Sequence, residues 1–278
     1  MNQVKFLIIS KQNRCGECME LLKKGLTGYQ IKIIALICMT IDHIGAFAFE
    51  IPIVSEYYSQ FRIIGRIAAP LFLYIITESI RHTKNRACYI LRLYIAAVLV
   101  GLFTTITNHL LGGVFGIFIP GNILFTFFYT ALYINMLEGI WSSIQNKVYQ
   151  KLFVYVLGIA ATILAHIASI SIPTESQFYY DLLNSFLVSP LHVDYTILFI
   201  MLGILIYFVK QKPLQIAVFV LFCILSVNYH FADYETVIAL GASSFFGYPQ
   251  YWMVLALPFI LLYNGLRGKS RKYFFYIS

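Results

Sequence analysis

The sequence predicts an all-α protein: a polytopic bundle of about eight transmembrane helices with a cytoplasmic N-terminus. Three observations carry that reading. The 278 residues are 60% hydrophobic and 12% charged, with a mean hydropathy of +0.77, whereas a soluble domain carries about 25% charged residues and needs them to cover its surface. Apolar runs near the span length recur along the chain, and a helix rising about 1.5 Å per residue needs about 20 residues to cross a hydrocarbon core. The basic residues keep to alternate loops.

Residues 1–28 read as a cytoplasmic basic segment and residues 29–278 as a single transmembrane domain. Residues 5–24 form either a short amphipathic helix on the inner membrane surface, broken by Gly25 and Gly28, or a flexible tail. No long apolar core and no small-residue cleavage site stand there, so span 1 is expected to act as its own uncleaved insertion signal. Spans follow near residues 31–49, 61–80, 89–111, 117–141, 148–172, 191–209, 214–229 and 251–263. Several are apolar around their whole circumference, which suits helices rather than the alternating strands of a membrane barrel. Of the 20 lysines and arginines, all but Arg62 and Arg66 fall in or beside the first segment, the loops after spans 2, 4 and 6, and the tail after span 8. That is the positive-inside bias repeated five times, and it sets a multi-pass plasma-membrane protein with its N-terminus inside. Glu50, Glu56, Glu175, Asp181, Asp233 and Glu235 fall on the opposite loops, of which 173–190 and 228–250 are the longest. The net charge of +8 is thus a topology signal, and no nucleic-acid partner is expected. The five cysteines give no disulfide framework, since Cys15 and Cys18 lie on the reducing side and Cys38, Cys88 and Cys223 in or beside spans.

The informative residues are ionisable groups inside the spans, each costing about 2.5–3.5 kcal/mol at a helix centre on insertion scales and therefore expected to face a partner. Asp42 and His43 sit in the outer half of span 1. Neighbours point about 100° apart on a helix, so each is expected to find its partner on another helix. Their chemistry fits a general base or acyl-carrying histidine beside a carboxylate, or else a hydrogen-bonded pair that locks helices together. Arg62 and Arg66 share a face at the outer start of span 2, and Arg66 is the expected partner of Asp42. Pro70 cannot bond the carbonyl of Arg66, so a kink is expected there, and Gly65 permits close helix approach. The arginines read as an anion or carbonyl clamp, or as a snorkelling pair at the headgroups. Asn108, His109, Asn122, Thr126, His166, His192 and Asp194 are further outer-half polar groups, and Asp194 is the costliest to bury.

On the inner side, Glu78 stands i+3 and i+4 from Arg81 and His82, and Asn85, Arg86 and Arg92 follow. A basic, amide-rich mouth can bind the phosphates of a cytoplasmic cofactor, or it can be positive-inside anchoring alone. Cys15-Gly-Glu-Cys18 lacks a second pair or a nearby histidine, so no metal is expected. There is no phosphate loop, dinucleotide fingerprint or nucleophile elbow.

Several strings together resemble the TraX family. Lys32-Ile-Ile-Ala-Leu-Ile-Cys-Met-Thr-Ile-Asp42-His43-Ile-Gly45 resembles its first span, and Arg62-Ile-Ile-Gly65-Arg66-Ile-Ala-Ala-Pro70-Leu-Phe72 its second. The run from His82 through Asn85 and Arg86 to Arg92-Leu93 resembles its first inner loop. Asn122-Ile-Leu-Phe-Thr126, Asp194-Tyr195 and the string from Leu262-Tyr263-Asn264-Gly265 to Tyr276 complete the resemblance, which covers residues 26–278. It implies a protein of conjugal transfer with pilin N-acetylation as its activity, acetyl-CoA as donor, and a pilin-like peptide, a glycan or another acyl acceptor as partner. Carried over, the strings imply Asp42, His43, Arg66 and Asp194 at the catalytic site and Arg81, His82, Asn85, Arg86 and Arg92 at the CoA entrance. The family continues into a ninth helix with an aromatic-Pro-x-His start, which is expected to be truncated here. It also tends to carry Gly where Thr196 follows Tyr195.

The expectation is therefore a membrane acyltransferase using acetyl-CoA. A proton-coupled transporter is the rival, since intramembrane Asp, His and Arg also mark proton pathways, but it predicts broken helices in both halves and only the Pro70 kink is visible. A non-catalytic assembly factor for a surface appendage is the third reading, and it predicts no CoA binding.

Overall fold

The computed structural model describes residues 25–48, 51–115, 119, 122–171, 177–186, 189–191, 193, 195–230 and 250–268. The basic segment before Gly25, with Cys15 and Cys18, lies outside them, as do His192, Asp194 and most of the 228–250 loop. Every one of the eight apolar runs is helical, and the described residues contain no strand. Four helical stretches are long and apolar enough to cross a membrane: Gly28–Phe47, Tyr58–His82, Arg86–Leu110 and Ile123–Gln145. Shorter apolar helical stretches are Tyr149–Leu164, Thr196–Phe208, Lys212–Val227 and Gln250–Leu262. The chain divides into two compact units, one within Met1–Ile75 and Leu255–Tyr276, the other within Ile76–Val254.

In the first unit, α1 (Gly28–Phe47) opens on a capping box: the Thr27 hydroxyl accepts from the Gln30 amide at 3.4 Å, and the Gln30 side chain accepts from the Thr27 amide at 2.8 Å. The next two amides of that turn, Gly28 and Tyr29, donate to the carbonyls of Leu266 and Arg267 at 2.8 and 3.0 Å. Leu26 donates to Leu262 at 2.6 Å and its carbonyl accepts from Asn264 at 2.9 Å, a single parallel bridge. The start of α1 and the end of α11 (Leu257–Leu262) therefore meet at one place. Gly25 makes this possible, because its φ of +68° is open to glycine and a Cβ would stand 2.6 Å from the Leu262 carbonyl oxygen.

Short helices α2 (Pro52–Glu56) and α3 (Tyr58–Gly65) precede α4 (Ala68–His82). The helix is interrupted at Arg66 and Ile67. Pro70 explains the site of the break, since it brings no N–H to the Arg66 carbonyl four residues earlier. Beyond it α4 buries Leu71, Leu73, Tyr74 and Ile75, and Tyr74 meets Tyr263 edge-on at 5.6 Å.

The second unit contains α5 (Arg86–Phe115), α6 (Ile123–Gln145), α7 (Tyr149–Ser171), α8 (Gln177–Asn184), α9 (Thr196–Phe208) and α10 (Lys212–His230). Antiparallel α6 and α7 interlock where the Tyr133 and Thr162 hydroxyls meet at 2.9 Å and where Gly158 makes room for Met136. α6 does not begin at the tip of α5. Asn108 clasps the backbone of Ile119 through both its amide atoms, and Asn122, the N-cap of α6, donates to the carbonyl of Ala97 at 2.6 Å. The chain has by then returned to the middle of α5.

The segment 173–190, read from the sequence as the longest outer loop, contains α8 lying along α5. His109 stacks on Phe178 at 4.6 Å, the Thr105 and Ser185 hydroxyls meet at 2.9 Å, and Tyr94 donates to the Phe186 carbonyl at 3.0 Å. From His109 to Tyr94 is about 22 Å of helix, so the segment descends far along α5 before turning back. Gly101 lets it approach closely, since a Cβ there would meet Ser185 backbone at 3.2 Å. α9 then starts within the unit, its entry held by Tyr195 and Thr196 at φ of +64° and +60°. Ala97, Phe125, Tyr129, Val193 and Ile200 form the core around this turn. The second half thus holds two short helices in succession, α8 and α9.

Candidate functional site

Two charged clusters stand out, one in each unit. In the first, Asp42 projects from α1 toward α3 and pairs with Arg62, Oδ2 to Nη1 at 2.9 Å. This corrects the expectation that Arg66 would be the partner. The reason is the helix break: Arg62 is still on α3, which packs on α1, whereas Arg66 is the first residue beyond the regular turn. Close approach depends on Gly65, whose missing Cβ leaves the space that the Asp42 side chain fills, and on Gly45, where a Cβ would stand 2.6 Å from that of Phe61. Arg66 is buried at 6% exposure, so a second guanidinium sits out of solvent beside this helix pair. Asp42 Oδ1 is buried with no hydrogen bond.

His43 is not part of that ion pair. One step along α1 turns it to an exposed face, where Nδ1 lies 2.7 Å from the Met39 carbonyl and the ring packs on Phe47 at 5.7 Å. The partner expected on another helix is replaced by its own helix backbone. A carbonyl can only accept, so Nδ1 is the donor in this contact and Nε2 is the ring nitrogen turned away from it. The histidine is oriented by a carbonyl, not by the carboxylate of Asp42.

The second cluster gathers the inner-loop residues. Arg81 pairs with Glu78 on its own helix and donates to the carbonyls of Ile206, Tyr207 and Val209, at 2.8 Å to Ile206 and 3.3 Å to Val209. Buried Gln215 donates to the Ile206 and Val209 carbonyls at 3.0 and 2.8 Å. Together they satisfy the orphan carbonyls at the end of α9, where the helix dipole also favours a cation. Arg86 pairs with Glu138 of α6 and donates to the Tyr207 hydroxyl at 3.2 Å, while that hydroxyl donates to the other Glu138 oxygen at 2.6 Å. The Arg81 guanidinium lies 5.2 Å over the Tyr207 ring. Asn85 caps α5 by accepting from the Cys88 amide at 3.1 Å, and His82 and Arg92 are exposed. His82 Nε2 is 3.9 Å from Glu78. No group of metal ligands forms among the described residues.

A family model described as TraX protein matches residues 27–278, nearly the whole chain. The chain belongs to the TraX family. It is accordingly a helical membrane protein of a conjugation-related family. No curated protein and no solved structure matches it. Thr196 is held at φ +60°, a conformation that strains a β-branched residue and leaves glycine, the residue expected there from the resemblance, at ease. Sequence reasoning missed Glu138, Tyr207 and Gln215. Glu138 carried a signal, being the sole acidic residue of the run 117–141. Tyr207 and Gln215 carried none, since a tyrosine or glutamine near a span end is ordinary.

Proposed function

We propose that this TraX protein is a plasma-membrane acyltransferase of eight spans, with its N-terminus inside, that moves an acetyl group from acetyl-CoA to an amine presented on the far side. The acceptor is the N-terminus of a pilin-like peptide, with a glycan or other acceptor demanding the same chemistry. The meeting of α1's start with α11's end supports an even number of spans. The observation that carries the reading is the half-buried Asp42–Arg62 pair with buried Arg66 close by in an apolar helix pair, a concentration of charge that helix packing alone does not require.

In this reading His82, Asn85, Arg86 and Arg92 hold the CoA phosphates, and Arg81 holds the mouth's shape by capping α9. The acceptor nitrogen attacks the thioester carbonyl, and a C–N bond replaces the C–S bond. His43 Nε2 takes the amine proton and returns it to the leaving thiolate. Arg66 stabilises the oxyanion, Asp42 and Arg62 balance each other's charge, and Asp194 remains a catalytic candidate from the family resemblance. The test is transfer of labelled acetyl to a pilin-like peptide by protein reconstituted in liposomes. His43→Ala should lower it at least a hundredfold, in line with general-base catalysis worth about 10²–10⁴. Undiminished transfer would remove His43 from the mechanism.

The succession of short helices α8 and α9 favours a second reading, proton-coupled transport, because transporters build their sites from broken helices. That reading predicts pH-driven flux of a solute with no requirement for acetyl-CoA. An assembly factor would show neither.

A further inference from the structure

The two arginines of the inner cluster are committed differently. Arg81 is spent on the protein itself: one carboxylate on its own helix and three backbone carbonyls occupy it. Arg86 uses two donors of its five, on Glu138 and Tyr207, and its side chain is 29% exposed. Glu138 is itself held twice, by Arg86 at one oxygen and by the Tyr207 hydroxyl at the other. Tyr207 is fixed beneath Arg81 and does not depend on Glu138 for its place.

We infer that Glu138 is a built-in competitor for a phosphate site at Arg86, with Tyr207 as the anchor that retains the carboxylate when a phosphomonoester or pyrophosphate group displaces it. The inference rests on the acetyl-CoA reading for the identity of the ligand, and on the geometry for the site. A guanidinium that faces one carboxylate and water accepts a phosphate in its fork at little cost beyond parting from that carboxylate. Glu138 then serves selectivity. A ligand with two or more negative charges outcompetes it, and a weak or neutral one does not.

The test is calorimetric titration of the full-length, detergent-purified chain with two probes, acetyl-CoA and inorganic pyrophosphate. Glu138→Gln keeps the shape and removes the charge, so pyrophosphate should bind about three- to fivefold tighter, the worth of a partly exposed ion pair. Tyr207→Phe keeps the ring under Arg81 but frees Glu138 to compete, so pyrophosphate should bind about two- to threefold more weakly. Opposite signs from two variants with unchanged thermal transitions support the site, since a structural role alone would move both the same way. Pyrophosphate tightening in Glu138→Gln together with no acetyl-CoA binding upholds the phosphate site and overturns the acetyl-CoA reading. Acetyl-CoA binding with pyrophosphate affinity unchanged or weakened in Glu138→Gln overturns the role given to Glu138.

Discussion

At the residue scale, the Asp42–Arg62 pair ties stability to chemistry. Removing one partner leaves a half-buried charge without its ion pair, so Arg62→Ala should destabilise by about 1 kcal/mol, while the double change Asp42→Asn with Arg62→Gln should cost less than the two single changes added together. Thermal unfolding in detergent of the singles and the double checks this. Gly65→Ala pushes a methyl into the Asp42 side chain and should cost about 1–3 kcal/mol as overpacking. These residues were legible in the sequence because charge inside an apolar run is costly and therefore conspicuous. Their pairing was not. Arg66 was favoured because it and Asp42 both lie in the outer halves of their spans, a matter of depth alone, and the chain breaks at Arg66 itself. His43 shows a similar limit: its residue type suggested a partner across the bundle, but its position one step round α1 gives it only its own backbone.

At the scale of elements, hydropathy located the helices and misjudged where some of them begin. Periodicity sees an apolar run and a polar loop, and 173–190 is polar enough to read as a loop where the structure has α8. Its course along α5 depends on small residues at Gly101 and Thr105 and on a single hydrogen bond from Tyr94, which leave no periodic trace. The turn into α9 carries strain at Thr196. Thr196→Gly relieves it and should raise stability by about 1 kcal/mol, set against the weak 3.3 Å contact from the Leu198 amide to the threonine hydroxyl. An equal or lower thermal transition in that variant would mean the turn is not strained. The Pro70 break, by contrast, was legible, because a missing amide acts at a known distance along the chain.

For the whole molecule, orientation and the donor site are testable together through one loop. Cys88 is exposed beside Asn85 and Arg86, while Cys38 and Cys223 are buried. In a variant with Cys15 and Cys18 changed to Ser, a membrane-impermeant maleimide should label Cys88 only in inside-out vesicles, and acetyl-CoA should slow the labelling. Labelling of right-side-out cells instead would invert the topology on which the positive-inside argument stands. The charge pattern is what predicts that topology, since basic residues alternate loop by loop. The inner mouth itself was half legible. Its arginines announced themselves, and the carboxylate and hydroxyl that govern Arg86 come from helices fifty and more residues away.

The central claim is tested most directly by titrating the detergent-purified protein with acetyl-CoA in a calorimeter, wild type against Arg86→Ala. Saturable binding to the wild type that falls about ten- to a hundredfold in the variant, the loss of one charge-assisted phosphate contact, is the predicted result. A protein that is folded and shows no acetyl-CoA binding would contradict the claim and leave transport or assembly as its function.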